Sequence, residues 1–342
     1  MHTQFKPGAL WPDDNGIHIN AHGGGFLHHE GIYYWFGEHK IAGRAGNKAY
    51  VGVHCYASTD LYRWQDRGIA LSVSDDPASD IVQGCVIERP KVIYNAQTRQ
   101  FVMWFHLELK DQGYDAARSG VAVSDSVTGP YTFVRSFRPN AGVWPTNVTA
   151  EQIQAGDGAE TDPLGLLKRD WAGGQMARDM TLFVDEDGAA YHLFASEENH
   201  TLHISQLNDD YLSPAGQYAR VFEQRFMEAP AICKRQGRYY FIGSGCTGWA
   251  PNAARSAVAD SIWGPWTELG NPCIGPNSEI TFGGQSTYIL PVAGRADALI
   301  AMFDLWRSED AIDGRYMWLP VEFEAGRIVL RHREAWDLSV FD

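Results

Sequence analysis

The chain has few cysteines, few basic residues and no long apolar run. Its five cysteines (Cys55, Cys85, Cys233, Cys246, Cys273) are scattered, and no C-x-x-C pair occurs, which argues against a zinc site built on cysteine. They read as reduced, mostly buried thiols and point to a reducing compartment. No stretch reaches the roughly 18 apolar residues of a membrane-spanning helix. The opening residues, MHTQFKPGALWPDDNG, hold no apolar core of a secretory signal. The expectation is a cytoplasmic protein, or one whose signal has been removed. Lys and Arg number 28 against 42 Asp and Glu, a net charge of 28 − 42 = −14. That sign opposes binding to a phosphate backbone, so neither nucleic acid nor a membrane is an expected partner. Helical periodicity is also scarce, and neither H-E-x-x-H nor a phosphate-binding loop occurs: the glycines at 23–25 enter a strand, not a helix.

Aromatic residues and glycine are abundant, with 12 Trp, 15 Tyr, 16 Phe and 35 Gly. With 44% hydrophobic and 20% charged residues this is a globular composition leaning to β structure. Five stretches read as hairpins: residues 24–38, 91–105, 181–196, 231–245 and 286–306. Three are followed by a small-residue strand, a Ser/Ala-Asp turn and an aromatic strand, as in ARSAVADSIWGPWTELG. A four-stranded unit repeated about five times predicts an all-β, five-bladed β-propeller occupying residues 1–342 as a single domain. A pair of β-sandwiches would also give many short strands, but would not repeat one hairpin five times. Residues 140–177 break the rhythm and read as an insertion with a short helix, signalled by the capping box Thr149-x-x-Gln152. Such insertions often lie over a channel mouth as a lid.

The residues that open the five units are His22, Glu88, Asp179, Glu228 and Gln285. In a propeller the first strand of each blade lines the channel, so residues at the same phase converge at one mouth. Any one Asp or Glu before a strand is an ordinary turn residue. Three carboxylates in phase are instead the arrangement that separates pKa values and keeps one acid protonated beside ionised partners. Glycoside hydrolysis uses such pairs.

Arg178-Asp179-Met180 with the D-x-D-G turn at 185–188, and Glu228-Ala229-Pro230, resemble the motifs of glycoside hydrolase family 43. The resemblance covers nearly the whole chain. The first blade departs from the common pattern: where most members carry an Asp-Pro whose Asp is the general base, this chain has Asn20-Ala21-His22. It is similar there to the exo-β-1,3-galactanase subgroup that lacks that base. The resemblance implies an exo-acting, inverting hydrolase that removes galactose from β-1,3-galactan chains, with a plant-type oligo- or polysaccharide as its substrate. α-L-Arabinofuranosidase and β-D-galactofuranosidase activities, and a non-catalytic carbohydrate-binding propeller, stand as alternatives. Retention of both Asp179 and Glu228 speaks against the last.

In these terms Glu228 is the general acid, and Asp179 raises its pKa and orients it. Gln285 positions the water, accepting through its carbonyl oxygen or acting as its imidic-acid tautomer; Asn20, Asp13 and Asp14 are the fallback bases. Inversion implies an acid-to-base gap of about 6.5–9.5 Å. Substrate contacts are expected from Glu88, His22, Asn20, Trp249, Asn252 and Trp104, with Tyr114 behind them; Trp and Tyr offer apolar faces to pyranose rings. No cofactor is required and no metal site is read, although His22 with water is a candidate to hold a central cation such as calcium.

Overall fold

The computed structural model describes residues 3–44, 46–155 and 162–342. Four four-stranded antiparallel sheets follow one another along the chain. The first is β1 (His22–His29), β2 (Ile32–His39), β3 (Gly52–Ser58) and β4 (Gln65–Ser72). The second is β5 (Val86–Asn95), β6 (Gln100–Glu108), β7 (Arg118–Ser124) and β8 (Thr132–Phe137). The third is β9 (Met180–Val184), β10 (Ala190–Ser196), β11 (Thr201–Leu207) and β12 (Pro214–Val221). The fourth is β13 (Met227–Arg235), β14 (Arg238–Gly245), β15 (Arg255–Ala259) and β16 (Thr267–Gly270). After these come β17 (Cys273–Ile274), β18 (Gln285–Pro291), β19 (Leu299–Leu305), β20 (Arg315–Pro320), β21 (Glu322–Glu324) and β22 (Arg327–Arg331), which form two three-stranded sheets, β18-β19-β20 and β17-β22-β21.

The fold is an all-β propeller, but the expected five blades are corrected to six. The sixth sheet is the one no hairpin repeat announces. Its β17 is two residues long and pairs in parallel with β22, Cys273 opposite Leu330, so its strands come from both sides of the β18–β20 unit. The inner strands β1, β5, β9, β13 and β18 pack on one another in a closed ring, and the sixth sheet packs against β20 outside it.

Turn chemistry accounts for the hairpins. Glu30-Gly31 (φ 49° and 79°) and Gln236-Gly237 (φ 50° and 75°) both hold left-handed backbone in two-residue turns, with His29 opposite Ile32 and Arg235 opposite Arg238. Closure of the ring is apolar. Phe26 and Trp35 of the first sheet, with Trp64 just before β4, pack with Met302, Tyr316 and Trp318 of β19 and β20. The two ends of the chain add to the same cluster, since Phe5 and Trp336 exchange backbone hydrogen bonds of 2.7 and 3.0 Å.

Within residues 140–177, residues 156–161 lie outside the described residues. The remainder holds α1 (Ala150–Gln154) and α2 (Gly165–Asp170). Thr149 and Gln152 form the reciprocal capping box. Leu164 and Leu167 pack on Tyr218, and the Thr146 N–H donates to the Tyr218 carbonyl. The apolar side of the insertion therefore covers β12, the outer strand of the third blade, where an unpaired edge would otherwise face solvent.

A bulge opens three of the inner strands. Register slips by one residue between His22 and Gly25, between Glu88 and Lys91, and between Glu228 and Ala231. The residue after each opener is left-handed: Gly23 (φ 59°), Arg89 (φ 54°) and Ala229 (φ 53°). Bulges re-aim a side chain at a sheet end. Here they interrupt the ladder just after each opener, which itself stays paired (His22 with Glu38, Glu88 with His106, Glu228 with Ser244), and at Arg89 and Ala229 a non-glycine residue carries the strain. Gly23 has no such freedom, because a Cβ there would collide with the Glu38 carboxylate.

Candidate active site

At one mouth of the ring lies a cavity of about 400 Å³. Four of the five openers line it: Glu88, Asp179, Glu228 and Gln285, joined by Glu38, Arg89, Tyr114, Trp249 and Trp306. The phase of the repeats therefore gathers these side chains, as a propeller requires.

Glu228 is the group kept protonated. Burial, then the neighbouring Asp179 carboxylate, push its pKa up to about 7 against the opposing pull of Arg89 and of the Cys246 thiol. Its Oε1 accepts from Asn199 Nδ2 at 2.9 Å. Asp179 Oδ2 accepts from the Ala229 backbone N–H at 3.0 Å, the left-handed residue of the bulge, and pairs with Arg89 Nη2 at 3.1 Å. One bulge thus presents Glu228 and ties it to Asp179 through the adjacent peptide.

Glu88 is the opposite case. Burial opposes its ionisation, but the hydrogen bond and charge of His106, helped by Lys40 and Tyr114, hold it down to about 2. His106 Nδ1 lies 2.7 Å from Glu88 Oε2, and Nε2 lies 2.8 Å from Glu108 Oε1. Clamped between two carboxylates, the imidazole holds its proton up to about 10 in spite of burial. Tyr114 OH donates to Glu88 Oε1 at 2.7 Å and accepts from Asn47 Nδ2 at 2.8 Å. Asn47 Oδ1 accepts from Lys40, whose ammonium pairs with Glu38 at 2.6 Å. From Glu38 to Glu108 these side chains form one chain of hydrogen bonds and ion pairs.

Arg89 is 3% exposed and sits at the centre. Nη1 donates to the Ser286 carbonyl at 2.9 Å and Nη2 to Gln285 Oε1 at 2.6 Å, while its backbone N–H donates to Glu38 at 2.9 Å. Gln285 Oε1 also accepts from Trp306 Nε1 at 2.9 Å, and Nε2 donates to Ser244 Oγ at 3.0 Å. Two groups that can only donate fix the amide orientation. The carbonyl oxygen is therefore engaged, and what Gln285 has left for the cavity is its second N–H. This differs from the expected acceptor role, and it opposes an imidic-acid tautomer, whose Oε1–H would face two further donors. Trp249 is 43% exposed and meets Trp306 edge-on at 5.9 Å.

Several expected contacts are corrected. Trp104 is fully buried, its Nε1 bound to the Tyr211 carbonyl, in the core between the second and third blades. His22 is fully buried, stacked on Tyr316 at 5.4 Å and beside Trp306. Burial and then the Lys40 charge drive its pKa well down, so it is neutral and shut off from the cavity. Asn20 spends its amide on both backbone groups of Lys40. Asn252 spans Gly245 and Thr247, shaping the loop that carries Trp249. Asp13 and Asp14 bind backbone N–H groups beside the first blade's outer strands and line a different pocket. Among the described residues, the ligand atoms that come within 4.8 Å of one another belong to Glu88, His106 and Asp179, not to His22. The His106 imidazolium already supplies the positive charge there.

Arg89, Glu38, Lys40, His106, Asn199, Cys246 and Trp306 were not singled out by the sequence. Arg89 directly follows the opener Glu88 and precedes Pro90, where a basic residue reads as an ordinary turn residue.

The pattern of the glycosyl hydrolases family 43 matches residues 140–294. A solved family 43 β-1,3-galactosidase holding galactodeoxynojirimycin is 50% identical, with a TM-score of 0.94 over 98% of this chain and 100% of that one. An exo-β-1,3-galactanase from Phanerochaete chrysosporium, solved with β-1,3-galactotriose, is 32% identical over 98% of this chain and 68% of its own, with a TM-score of 0.80. The exo-β-1,3-galactanase of Clostridium thermocellum is 35% identical over 97% of this chain and 66% of its own, with a TM-score of 0.82. Among curated proteins, a β-D-galactofuranosidase of Aspergillus niger is 31% identical over 129 residues; the match spans 34% of this chain and 37% of that relative.

Proposed function

This chain belongs to glycosyl hydrolase family 43, and from that premise we propose that it is an exo-acting, inverting hydrolase that releases galactose from β-1,3-linked galactan of the plant arabinogalactan type. One observation carries the reading: a carboxyl raised to about 7, Glu228, shares a cavity walled by Trp249 and Trp306 with a carboxylate held down to about 2, Glu88. Glu228 donates its proton to the departing glycosidic oxygen. Asp179 keeps that proton on by its charge and orients the acid through the Ala229 peptide. Glu88 stays ionised at any working pH and accepts from sugar hydroxyls. Trp249 offers its exposed face to a pyranose ring.

Gln285 orients the attacking water by its second N–H, with Arg89 and Trp306 holding the amide still; the proton that this water sheds as it bonds to the anomeric carbon passes to solvent, and Glu228 is reprotonated from solvent after each turnover. Gln285→Ala is therefore expected to lower kcat about 100-fold, in the range of a single positioned polar group, and to change KM much less. Steady-state rates on β-1,3-galactobiose measure this; a wild-type kcat would remove Gln285 from the mechanism.

The acid sets the alkaline limit. Below about pH 7 Glu228 is protonated and competent; above it the proton is gone and kcat/KM falls tenfold per pH unit. A pH–rate profile flat from 6 to 9 would contradict the assignment.

The decisive assay compares β-1,3-galactan with aryl α-L-arabinofuranoside and aryl β-D-galactofuranoside, following the first-formed anomer by NMR. We expect galactose from the galactan alone, appearing first as the α-anomer. Release from the galactofuranoside instead would favour the activity of the Aspergillus niger relative. First-formed β-galactose would refute inversion.

A further inference from the structure

The turn between β10 and β11 holds three consecutive left-handed non-glycine residues, Glu197 (φ 51°), Glu198 (φ 54°) and Asn199 (φ 65°). L-residues visit this region singly, and a run of three persists only where the surroundings over-determine it. The surroundings here are ionic. Glu197 is 1% exposed, and its two oxygens take Arg220 Nε and Nη2 at 2.7 and 2.8 Å, with His203 Nε2 at 2.8 Å. Arg220 is itself fixed on both backbone groups by the Asn147 amide. Glu198 is tied to Arg178 at 2.9 Å and to Arg169 at 3.1 Å. The product of this bracing is one contact, Asn199 Nδ2 to Glu228 Oε1. Asn199 Oδ1 is buried without a hydrogen-bond partner among the described residues. The amide is thus held for what it donates.

We propose that Asn199 is a positioning residue for Glu228, aimed by the left-handed turn and anchored through Glu197, and that it confines the acid's proton to Oε2. The inference rests on Glu228 being the general acid. An N–H that donates to Oε1 makes Oε1 the acceptor, so the carboxyl hydrogen occupies Oε2, the oxygen left to meet the leaving group. Once that proton is given up, the same N–H stabilises the carboxylate. Facing Glu228 are Asp179 and Glu88, which hold its proton on, and Arg89 and Cys246, which draw it off; His106 and Arg178 complete the recess. Against that background Asn199 favours the ionised form, and its loss must move the alkaline limit upward.

The test is the pH dependence of kcat and kcat/KM on β-1,3-galactobiose for Asn199→Ala and Glu197→Gln, with Glu228→Gln in parallel. Asn199→Ala is expected to shift the alkaline limb up by roughly half to one pH unit, the difference between a hydrogen bond accepted by a carboxylate and one accepted by a neutral carboxyl. It should also lower kcat at pH 6 about tenfold with little change in KM. Glu197→Gln should shift the limb in the same direction by less. A merely structural Glu197 would lower thermal stability and leave the limb in place, which would overturn the anchoring. An unmoved limb in Asn199→Ala, with Glu228→Gln inactive, would overturn the positioning role alone. Undiminished turnover by Glu228→Gln would instead remove the acid assignment on which both stand.

Discussion

Glu228→Gln is expected to lower kcat on β-1,3-galactobiose about 1000-fold, within the range of general acid catalysis, while the Kd for galactose stays within about threefold. The amide matches the carboxyl in shape and accepts the same Asn199 N–H through its oxygen. It has no proton to give a departing alkoxide. The loss should shrink for any aryl galactoside the wild type hydrolyses, because a phenolate leaves with less help. The same substitution should stabilise the fold at pH 8. The folded pKa of Glu228 lies at about 7, above its ordinary value of 4.5. Its contribution is fully present below the unfolded pKa and is lost as pH rises through the folded one. At pH 8 the wild type thus holds an anion in a site that resists it, and the neutral amide relieves that. A raised Tm together with a collapsed kcat is the pattern of a site strained for function. Near-normal turnover, or a lowered Tm at pH 8, would place the acid elsewhere.

Much of this site is written in the repeat. The hairpins at 24–38 and 231–245 are legible because Glu30-Gly31 and Gln236-Gly237 are turn dipeptides, and their phase places Glu88, Asp179, Glu228 and Gln285 at one mouth. What escapes is set by packing across blades. His22 shares the phase of Glu228 and even its bulge, yet Trp306 and Tyr316, nearly 300 residues away in the chain, enclose it. Trp104 has the composition of a sugar platform and the surroundings of a core residue. The sixth sheet rests on a two-residue strand paired in parallel, which carries no periodicity at all. Arg89 is the clearest case. A cation between a glutamate and a proline looks solvated, and only the bulge at Glu88–Lys91 explains why it turns inward and is buried.

Arg89→Met carries the other large consequence. The guanidinium is the hub between blades: it bonds Ser286 and Gln285 of β18, pairs with Asp179 at the head of β9, and its own peptide holds Glu38 of β2. Burial works against its charge, but Asp179, Asp304, Glu38 and Glu88 more than compensate and raise its pKa. Methionine has comparable length and meets the same left-handed strain at φ 54°, so the comparison isolates the charge and its fork of donors. Four acidic groups would lose their common cation. Removing one partner of a buried pair costs about 3–5 kcal/mol, and Tm should fall by at least about 5 °C. Lys91, whose pKa is held down to about 7 by burial and by Arg89, would become more readily charged and recover part of that loss. Activity should fall as well, by about 1000-fold in kcat/KM, because Gln285 loses the donor that orients its amide and Asp179 loses the partner that fixes it against Glu228. Arg89→Lys separates the two effects: an ammonium restores charge but cannot span Ser286, Gln285 and Asp179 together. It should regain most of the lost Tm and little of the lost rate. Recovery of both by lysine would reduce Arg89 to a counter-ion. An Arg89→Met variant with unchanged Tm and rate would remove it from the site altogether.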